Sequence, residues 1–346
     1  MKNGPGVVTI ADIAARAGVS KAAVSYAFNA PERLAAKTVE RILAIAEELH
    51  YTPNPLARSM SIGRTGTLGV LVPQPLEEML INPFFSEFLA GVAAVAGDEG
   101  FPLLLVPPVK GSVDLAISSA AVDGFLTLGL ETFRPTMHLL ERRGLPYVMV
   151  DSDPEPGVAC VNIDDENGAY AAMTHLLALG HRRIGLLGIR SPQRGRWEKY
   201  NGTLHRRVTG YRRALQEAGL DLGDTGVRLI ECEVSEEGGR HGFERLLKRG
   251  PAPTAVVAMS DLIAIGALEA ALARGIDVSG ELSLVGFDDI PEAAWVQPPL
   301  TTVRQPMQEK GRTAAKMLLD LVLRAATPHH VVLDTELVVR ASSASV

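Results

Sequence analysis

The side chains with most chemistry to offer in this sequence fall into two sets, and both suit recognition rather than bond-making. The first is Ser20, Lys21, Ala22, Ser25, Tyr26 and Asn29. Their spacing leaves the last five on the outward side of one short helix, which Ser20 begins. There, small hydroxyls, an amide and a phenol can reach base edges in a major groove, while Lys21 can sit against a phosphate. The second set closes apolar runs in the distal half: Asp288 follows Leu282 to Phe287, and Ser260-Asp261 follows Ala255 to Met259. A strand-end carboxylate can accept two hydrogen bonds from a polyol, and Asp288-Asp289 equally suits a turn. Ser260 is first a helix N-cap and only second a ligand group. The sequence has no G-x-G-x-x-G, P-loop or G-x-S-x-G pattern and no metal-spaced His or Cys cluster, so no enzyme, catalytic residue, metal or cofactor is expected.

The first set needs a scaffold, and residues 8 to 50 supply one. Thr9 can cap a helix with Asp12 in return, and Ile10, Ile13, Ala14 and Ala17 recur at helical spacing. Gly18 can take the positive φ that breaks it, and Ser20 can cap a second helix with Val24 and Phe28 inside. Small residues at Ala11, Ala14, Ala15, Ala22 and Ala23 let the two helices approach closely. A third helix from about Ala36 to Leu49 presents Val39, Ile42, Leu43, Ala46 and Leu49 as its apolar stripe, without a side-chain cap because Ala35 precedes it. Helix, glycine turn, helix is the DNA-reading unit; a small structural bundle is the alternative.

Charge favours the former. Residues 1–64 hold eight Lys or Arg against five acids, net +3, so the overall −6 leaves −9 for the rest. A basic headpiece on an acidic body concentrates phosphate attraction where the reading helix lies. Beyond Thr67 short apolar runs alternate with helical stretches, which implies parallel sheets covered on both faces. Runs at 67–72, 103–106, 124–128, 147–150, 184–189, 227–230, 255–259 and 282–287 are too many for one open sheet of this length, so two lobes are expected.

The motif V-T-I-x-D-I-A-x-x-A-G-V-S-x-x-x-V-S from Val8, with Asn29, Lys37-Thr38, Tyr51-x-Pro53-Asn54 and Ala57-Arg58-Ser59, resembles the headpiece of the lactose-repressor (LacI/GalR) family of bacterial transcription regulators. Asn82-Pro83-Phe84-Phe85, Val122-Asp123-Gly124, the segment from His175 to Ile184, Val285-Gly286-Phe287-Asp288-Asp289 and Pro299 to Gln305-Pro306 are similar to its effector-binding body.

The resemblance implies residues 1–54 as a helix-turn-helix headpiece, 55–66 as hinge helix and linker, and 67–346 as a body of two doubly wound parallel-sheet lobes like the type I periplasmic binding proteins. It adds Thr9, Tyr51, Asn54, Ala57, Arg58 and Met60 to the DNA-contacting residues, with Met60 as the apolar wedge a hinge helix inserts into the minor groove. A plain linker is the other reading of that segment. The lobes should be joined by three crossings, near Asp164, Asp289 and Leu323, with the ligand between them. Asp288 and Ser260 are then joined at the cleft by Arg207, where the family keeps an effector-binding arginine, and by Asp164, Asp261 and Gln305. Of Phe84 and Phe85, one can stack on a ligand while at least one packs. The polar loop 190–202 with Trp197 and Tyr200 covers the cleft or moves freely.

The implied function is a repressor whose affinity for a near-palindromic double-stranded operator responds to a small-molecule effector, a carbohydrate first and a nucleoside or purine as the alternative. The resemblance implies a homodimer, and a tetramer is not expected because no heptad tail follows Val338. A solute-binding protein shares the body but would carry a leader and no headpiece. The N-terminus lacks a secretory apolar region and no run approaches the roughly 20 residues of a membrane helix, so a cytoplasmic protein with no membrane partner is expected. Cys160 and Cys232 read as core thiols.

Overall fold

The computed structural model describes residues 8–54, 59, 63–72, 74–129 and 134–346, the side chains of 134–136 excepted. The chain divides into two compact units, Met1–Gly66 and Thr67–Val346.

In the first unit α1 (Ile10–Ala17), α2 (Lys21–Asn29) and α3 (Ala36–Glu48) pack around Ile13, Val24 and Ile42, none of which retains any exposure. Gly18 ends α1 at φ 65°, a conformation that a Cβ would strain. Close approach of the helices uses Ala14, Ala17 and Ala27; Ala15 and Ala22 stay exposed, contrary to the sequence reading. Leu43 is also misassigned: it is 40% exposed, because the stripe of α3 runs through Val39, Ile42, Ile45, Ala46 and Leu49 and leaves Leu43 about 100° past Ile42.

The second unit contains β1 (Leu68–Leu71), β2 (Leu103–Val106), β3 (Gly124–Leu128), β4 (Tyr147–Val150), β5 (Ala159–Ile163), β6 (Ile184–Ile189), β7 (Val227–Cys232), β8 (Ala255–Ala258), β9 (Ser283–Asp288), β10 (Thr301–Arg304), β11 (His330–Leu333) and β12 (Glu336–Val338). Its helices are α4 (Leu76–Leu80), α5 (Pro83–Asp98), α6 (Val113–Ser119), α7 (Arg134–Arg143), α8 (Asp165–Ala178), α9 (Gly202–Glu217), α10 (Glu236–Lys248), α11 (Asp261–Leu272), α12 (Pro291–Trp295) and α13 (Met307–Arg324). Two six-stranded sheets result, ordered β11-β5-β4-β3-β1-β2 and β12-β10-β9-β8-β6-β7. Among the described residues every pairing of these strands is parallel except that of β10 with β12. Such a sheet is covered on both faces and reads as continuous apolar runs, as in β1, β3, β8 and β9, each buried along its length.

The chain passes between the lobes three times. The first crossing lies at Asp164, between β5 and α8, as expected. The other two are not near Asp289 and Leu323. Asp289 leads through α12 into β10 of the same sheet, and Leu323 sits inside α13, which packs on the first lobe. The actual crossings are at Gln305-Pro306, where β10 passes to α13, and between β11 and β12. Gln305 is thus on the second crossing, not the last.

Helix α13 reaches the first lobe through a close helix contact. A Cβ on Gly91 of α5 would lie 2.0 Å from the Gln308 carbonyl oxygen, and one on Gly311 would lie 2.1 Å from that of Phe88. Only glycines permit this approach, and it fixes the neighbouring Lys310 against the start of α5, where Phe84 lies.

Candidate DNA-reading surface and effector cleft

On the headpiece, α2 presents Lys21, Ala22 and Tyr26 to solvent. Ser20 does what its type predicts for a helix start, accepting from the Ala23 amide at 3.1 Å. Ser25 and Asn29 are half-buried and hydrogen-bonded to each other, Asn29 Nδ2 donating at 3.4 Å. The Tyr26 ring, 39% exposed, carries the Arg33 guanidinium 5.3 Å from its centroid. Sequence reasoning passed over Arg33, although a basic residue in the short turn behind a reading helix was a usable signal.

Two other assigned contacts have structural work. The Thr9 amide and hydroxyl both donate to Asp12 Oδ2, at 2.8 and 2.7 Å, and they hold the Asp12 carboxyl below its usual value. Tyr51 packs on Phe28, centroids 5.7 Å apart, closing the headpiece core, and burial pushes its phenol up against a weaker opposing backbone hydrogen bond at Asn54. Asn54 is exposed. Ala57, Arg58 and Met60, with most of the hinge, lie outside the described residues.

In the body, the strands of both lobes end at a cavity of about 290 Å³ between them. Asn82, Phe84 and Asp151 line it from the first lobe, and Arg207, Ser260 and Asp288 from the second. Gln305, on a crossing, lines it too. Asp151 has φ 55° and Asp288 φ 133°, so both strand-end carboxylates are held where non-glycine residues are strained, a pattern found at ligand sites.

A chain of hydrogen bonds runs along one wall. Lys310 Nζ, on a side chain with no exposure, donates to Asp151 Oδ1 at 2.8 Å, to Asp151 Oδ2 at 2.9 Å and to Gln305 Oε1 at 2.7 Å. Gln305 Nε2 then donates to Asp288 Oδ1 at 2.6 Å. On the other side Arg207 is buried, not solvated: Nε donates to Asp165 Oδ1 at 2.9 Å, Nη1 to the Met259 carbonyl at 2.5 Å, and the guanidinium lies 3.6 Å from the Phe287 ring centroid. Burial pushes the Asp288 carboxyl up, and Arg207 partly opposes this.

The cleft therefore unites Phe84, Arg207, Ser260, Asp288 and Gln305, and excludes three assigned residues. Phe85 is fully buried in the first-lobe core with Phe88 and Val92, because helical spacing turns it away from the cavity that Phe84 faces. Asp164 is the N-cap of α8, accepting from the Asn167 amide at 3.0 Å and its Nδ2 at 2.6 Å. Asp261 lies beneath the cleft floor, accepting from Thr302 Oγ1 at 2.5 Å and the Ile290 amide at 3.0 Å. Ser260 departs from its reading in the other direction. It starts α11 without a side-chain cap, and its buried Oγ, close to the Asp288 carboxylate, makes no hydrogen bond of ordinary geometry.

The polar loop before α9 is packed rather than loose. Arg212 covers the Trp197 ring at 4.7 Å, and buried Tyr200 donates to Glu231 at 2.7 Å. Both aromatics anchor it to the second lobe, leaving Thr203 and Leu204 to line the cavity.

Residues 9–54 match the family model of bacterial regulatory proteins, lacI family, and residues 173–343 match a periplasmic binding protein-like domain. The HTH-type transcriptional regulator Rv3575c of Mycobacterium tuberculosis is 34% identical over 345 residues, 95% of each chain. The chain belongs to the lacI family. A solved transcriptional regulator CelR–cellobiose complex is 30% identical, with TM-score 0.72 over 97% of this chain and 99% of that one. The fold is also that of the Lac repressor dimer bound to operator and the anti-inducer ONPF, TM-score 0.80 at 24% identity over 98% and 100% of the two chains. As a lacI-family member the chain is a DNA-binding transcriptional regulator and not an enzyme, and among the described residues no helix is long and apolar enough to cross a membrane.

Proposed function

We propose that this lacI-family regulator acts as a repressor whose operator affinity is set by a small polyhydroxylated effector, a sugar or sugar derivative, bound between the lobes of the body. The observation that carries the reading is the cavity itself. Two strained carboxylates, a buried arginine, an amide and an unpartnered serine hydroxyl converge there beside one aromatic ring, Phe84. That mixture of hydrogen-bonding groups and one flat apolar face matches a sugar ring, with its hydroxyl edge and C–H face. At about 290 Å³ the cavity is near the lower end of ligand pockets, which run from roughly 300 Å³ upward, so a small effector fits best. The bound cellobiose of the related CelR complex supports a carbohydrate.

The coupling is thermodynamic. Two copies of the chain, each supplying one headpiece, read a near-palindromic site when the bodies hold them at the right separation and the hinge segments, Met60 included, enter the minor groove. An effector that binds one lobe arrangement better than the other shifts DNA affinity, and DNA shifts effector affinity equally. Such a regulator works in the cytoplasm.

The test is a melting-temperature screen of sugars and nucleosides, followed by an operator-binding assay with each hit. Sugar hits that change operator affinity support the reading, and hits confined to nucleosides replace the effector class. Asp288→Ala should lose the response to the hit, its affinity falling on the order of 100-fold as the cleft loses its strand-end acceptor, while operator binding without effector persists. A normal response in that variant would place the effector elsewhere.

A further inference from the structure

We propose that the Lys310–Asp151 pair behind the cleft makes this site selective for an uncharged effector, and that Lys310 is the specificity-determining residue. The inference rests on the effector reading above and deepens it.

Lys310 falls on the apolar side of α13, among Met307, Ala314, Met317 and Leu318, where a lysine has to be buried. A buried ammonium is costly unless paired and fully hydrogen-bonded, and here both conditions hold. It has three N–H donors, and the two Asp151 oxygens and Gln305 Oε1 take all three. None is left for a ligand, and its position 5.0 Å from the Phe84 ring centroid is behind the cavity wall.

Two consequences follow. First, Lys310 fixes which way the Gln305 amide points. With Oε1 held by the ammonium, Nε2 must face Asp288, so the cleft presents a donor at Gln305 and an acceptor at Asp288 in fixed order. Second, it cancels the charge of Asp151, which faces the cavity. Arg207, the single basic residue among the described cavity-lining residues, is likewise bound to Asp165. Among the described residues no cation at the cleft is free of its carboxylate, so none of them is set to balance a phosphate or a carboxylate on the ligand. Asp151 is in turn cancelled, and Asp288, whose carboxyl burial pushes up toward its neutral form, has Arg207 nearby, so the site also gives little advantage to an ammonium. What remains, Asp288, Gln305 and the Ser260 hydroxyl, is suited to neutral hydroxyls.

The experiment is ligand-induced thermal stabilisation and calorimetry on the full-length protein with matched probes: neutral monosaccharides and disaccharides, their 6- or 5-phosphates, and the 2-amino sugars. The native protein should bind a neutral sugar at least tenfold more tightly than its phosphate or amino counterpart. Lys310→Met exposes an uncancelled Asp151 to the cavity, so the ratio of amino-sugar to neutral-sugar affinity should rise about tenfold or more. Adding Asp151→Asn to Lys310→Met should return the ratio toward the native value, which a merely structural role for Lys310 would not produce. A native protein that prefers the phosphorylated probe, or a Lys310→Met ratio equal to the native one, overturns the proposal while leaving a sugar effector standing. If Lys310→Met does not fold, the native panel alone still decides. Silence of the native protein to every probe in the panel removes the effector reading itself, and this proposal with it.

Discussion

In the headpiece the candidate reading side chains stand in solvent on a scaffold that does the folding, whereas in the cleft the candidate recognising groups are themselves part of the buried bonding. Lys21, Ala22 and Tyr26 are exposed, and the core beneath them is made of other residues, Ile13, Val24 and Ile42. Arg207, Asp288 and Gln305 are nearly inaccessible and each is tied to a neighbour, Asp165, Gln305 and Lys310 respectively. A reading surface of the first kind can change its residues with little effect on stability. A site of the second kind couples recognition to folding, because every change leaves a buried partner unmatched.

The largest expected effect breaks that coupling at its strongest point. Arg207→Ala leaves the wholly buried Asp165 with only Arg206, whose Nε lies 3.1 Å away, and removes the contact on Phe287. Truncating one member of a buried pair typically costs 3–5 kcal/mol, and the remaining Arg206 contact puts this case near the lower end, about 3 kcal/mol. Denaturant unfolding of the full chain should show the body transition moved by that amount and the headpiece unaltered. A loss below about 1 kcal/mol would mean the cleft is as loosely integrated as the reading surface.

The two regions should also answer pH in opposite directions. In the body, burial raises the carboxyl of Asp261, as the nearby Asp288 does further, and it raises that of Asp288 as well. A carboxyl raised in the folded state contributes stability that is complete below the unfolded value, near 4, and is lost as pH rises through the higher folded value. In the headpiece Thr9 lowers the carboxyl of Asp12, so its contribution is present above the unfolded value and lost as pH falls. Asp261→Asn can still meet the Ile290 amide with its oxygen and offer its NH2 to Thr302, so the fold survives. Between pH 5 and 8 the variant's body should lose less stability with rising pH than the native body, by up to about 1.4 kcal/mol per unit. Identical slopes would show that Asp261 is ionised across this range.

The same contrast explains what could be read in advance. Helix one, Gly18 and the Ser20 cap were legible because local spacing and turn chemistry determine them. Most strands of the body were legible as apolar runs. Four strands, β5, β10, β11 and β12, were not read: Asn162 interrupts the apolar run of β5, Thr301 and Thr302 open β10, and β11 and β12 are half-exposed at sheet edges. Two of the three crossings were misplaced for the same reason, since the turning points follow β10 and β11. Asp288 was found by the rule that a carboxylate ending an apolar strand faces the cleft, and that rule applied to β4 would have found Asp151. Lys310 was visible only as a lysine on an apolar stripe. Its partners are 159 and 5 residues away, the first of them in the other half of the body's chain, and no local pattern joins them.

The smallest effect belongs to the headpiece, where two helix starts differ by one atom that the local fold is ready to use. Ser20 sits at φ −73°, ψ 156° and its hydroxyl accepts from the amide three residues on; Ala35 sits at φ −64°, ψ 137°, nearly the same backbone, with no side chain to accept from the first turn of α3. Ala35 is exposed, so a hydroxyl there meets no packing cost. Ala35→Ser should therefore stabilise α3 by about 1 kcal/mol, and Ser20→Ala should destabilise α2 by a similar amount. Amide hydrogen exchange at Ile42, at the centre of the three-helix core, reads both changes in the full chain. The first should slow exchange about fivefold and the second speed it by as much, while amides in β9 of the body stay unchanged. If β9 moved with them, the headpiece would not be the separately stable scaffold on which its exposed reading surface depends.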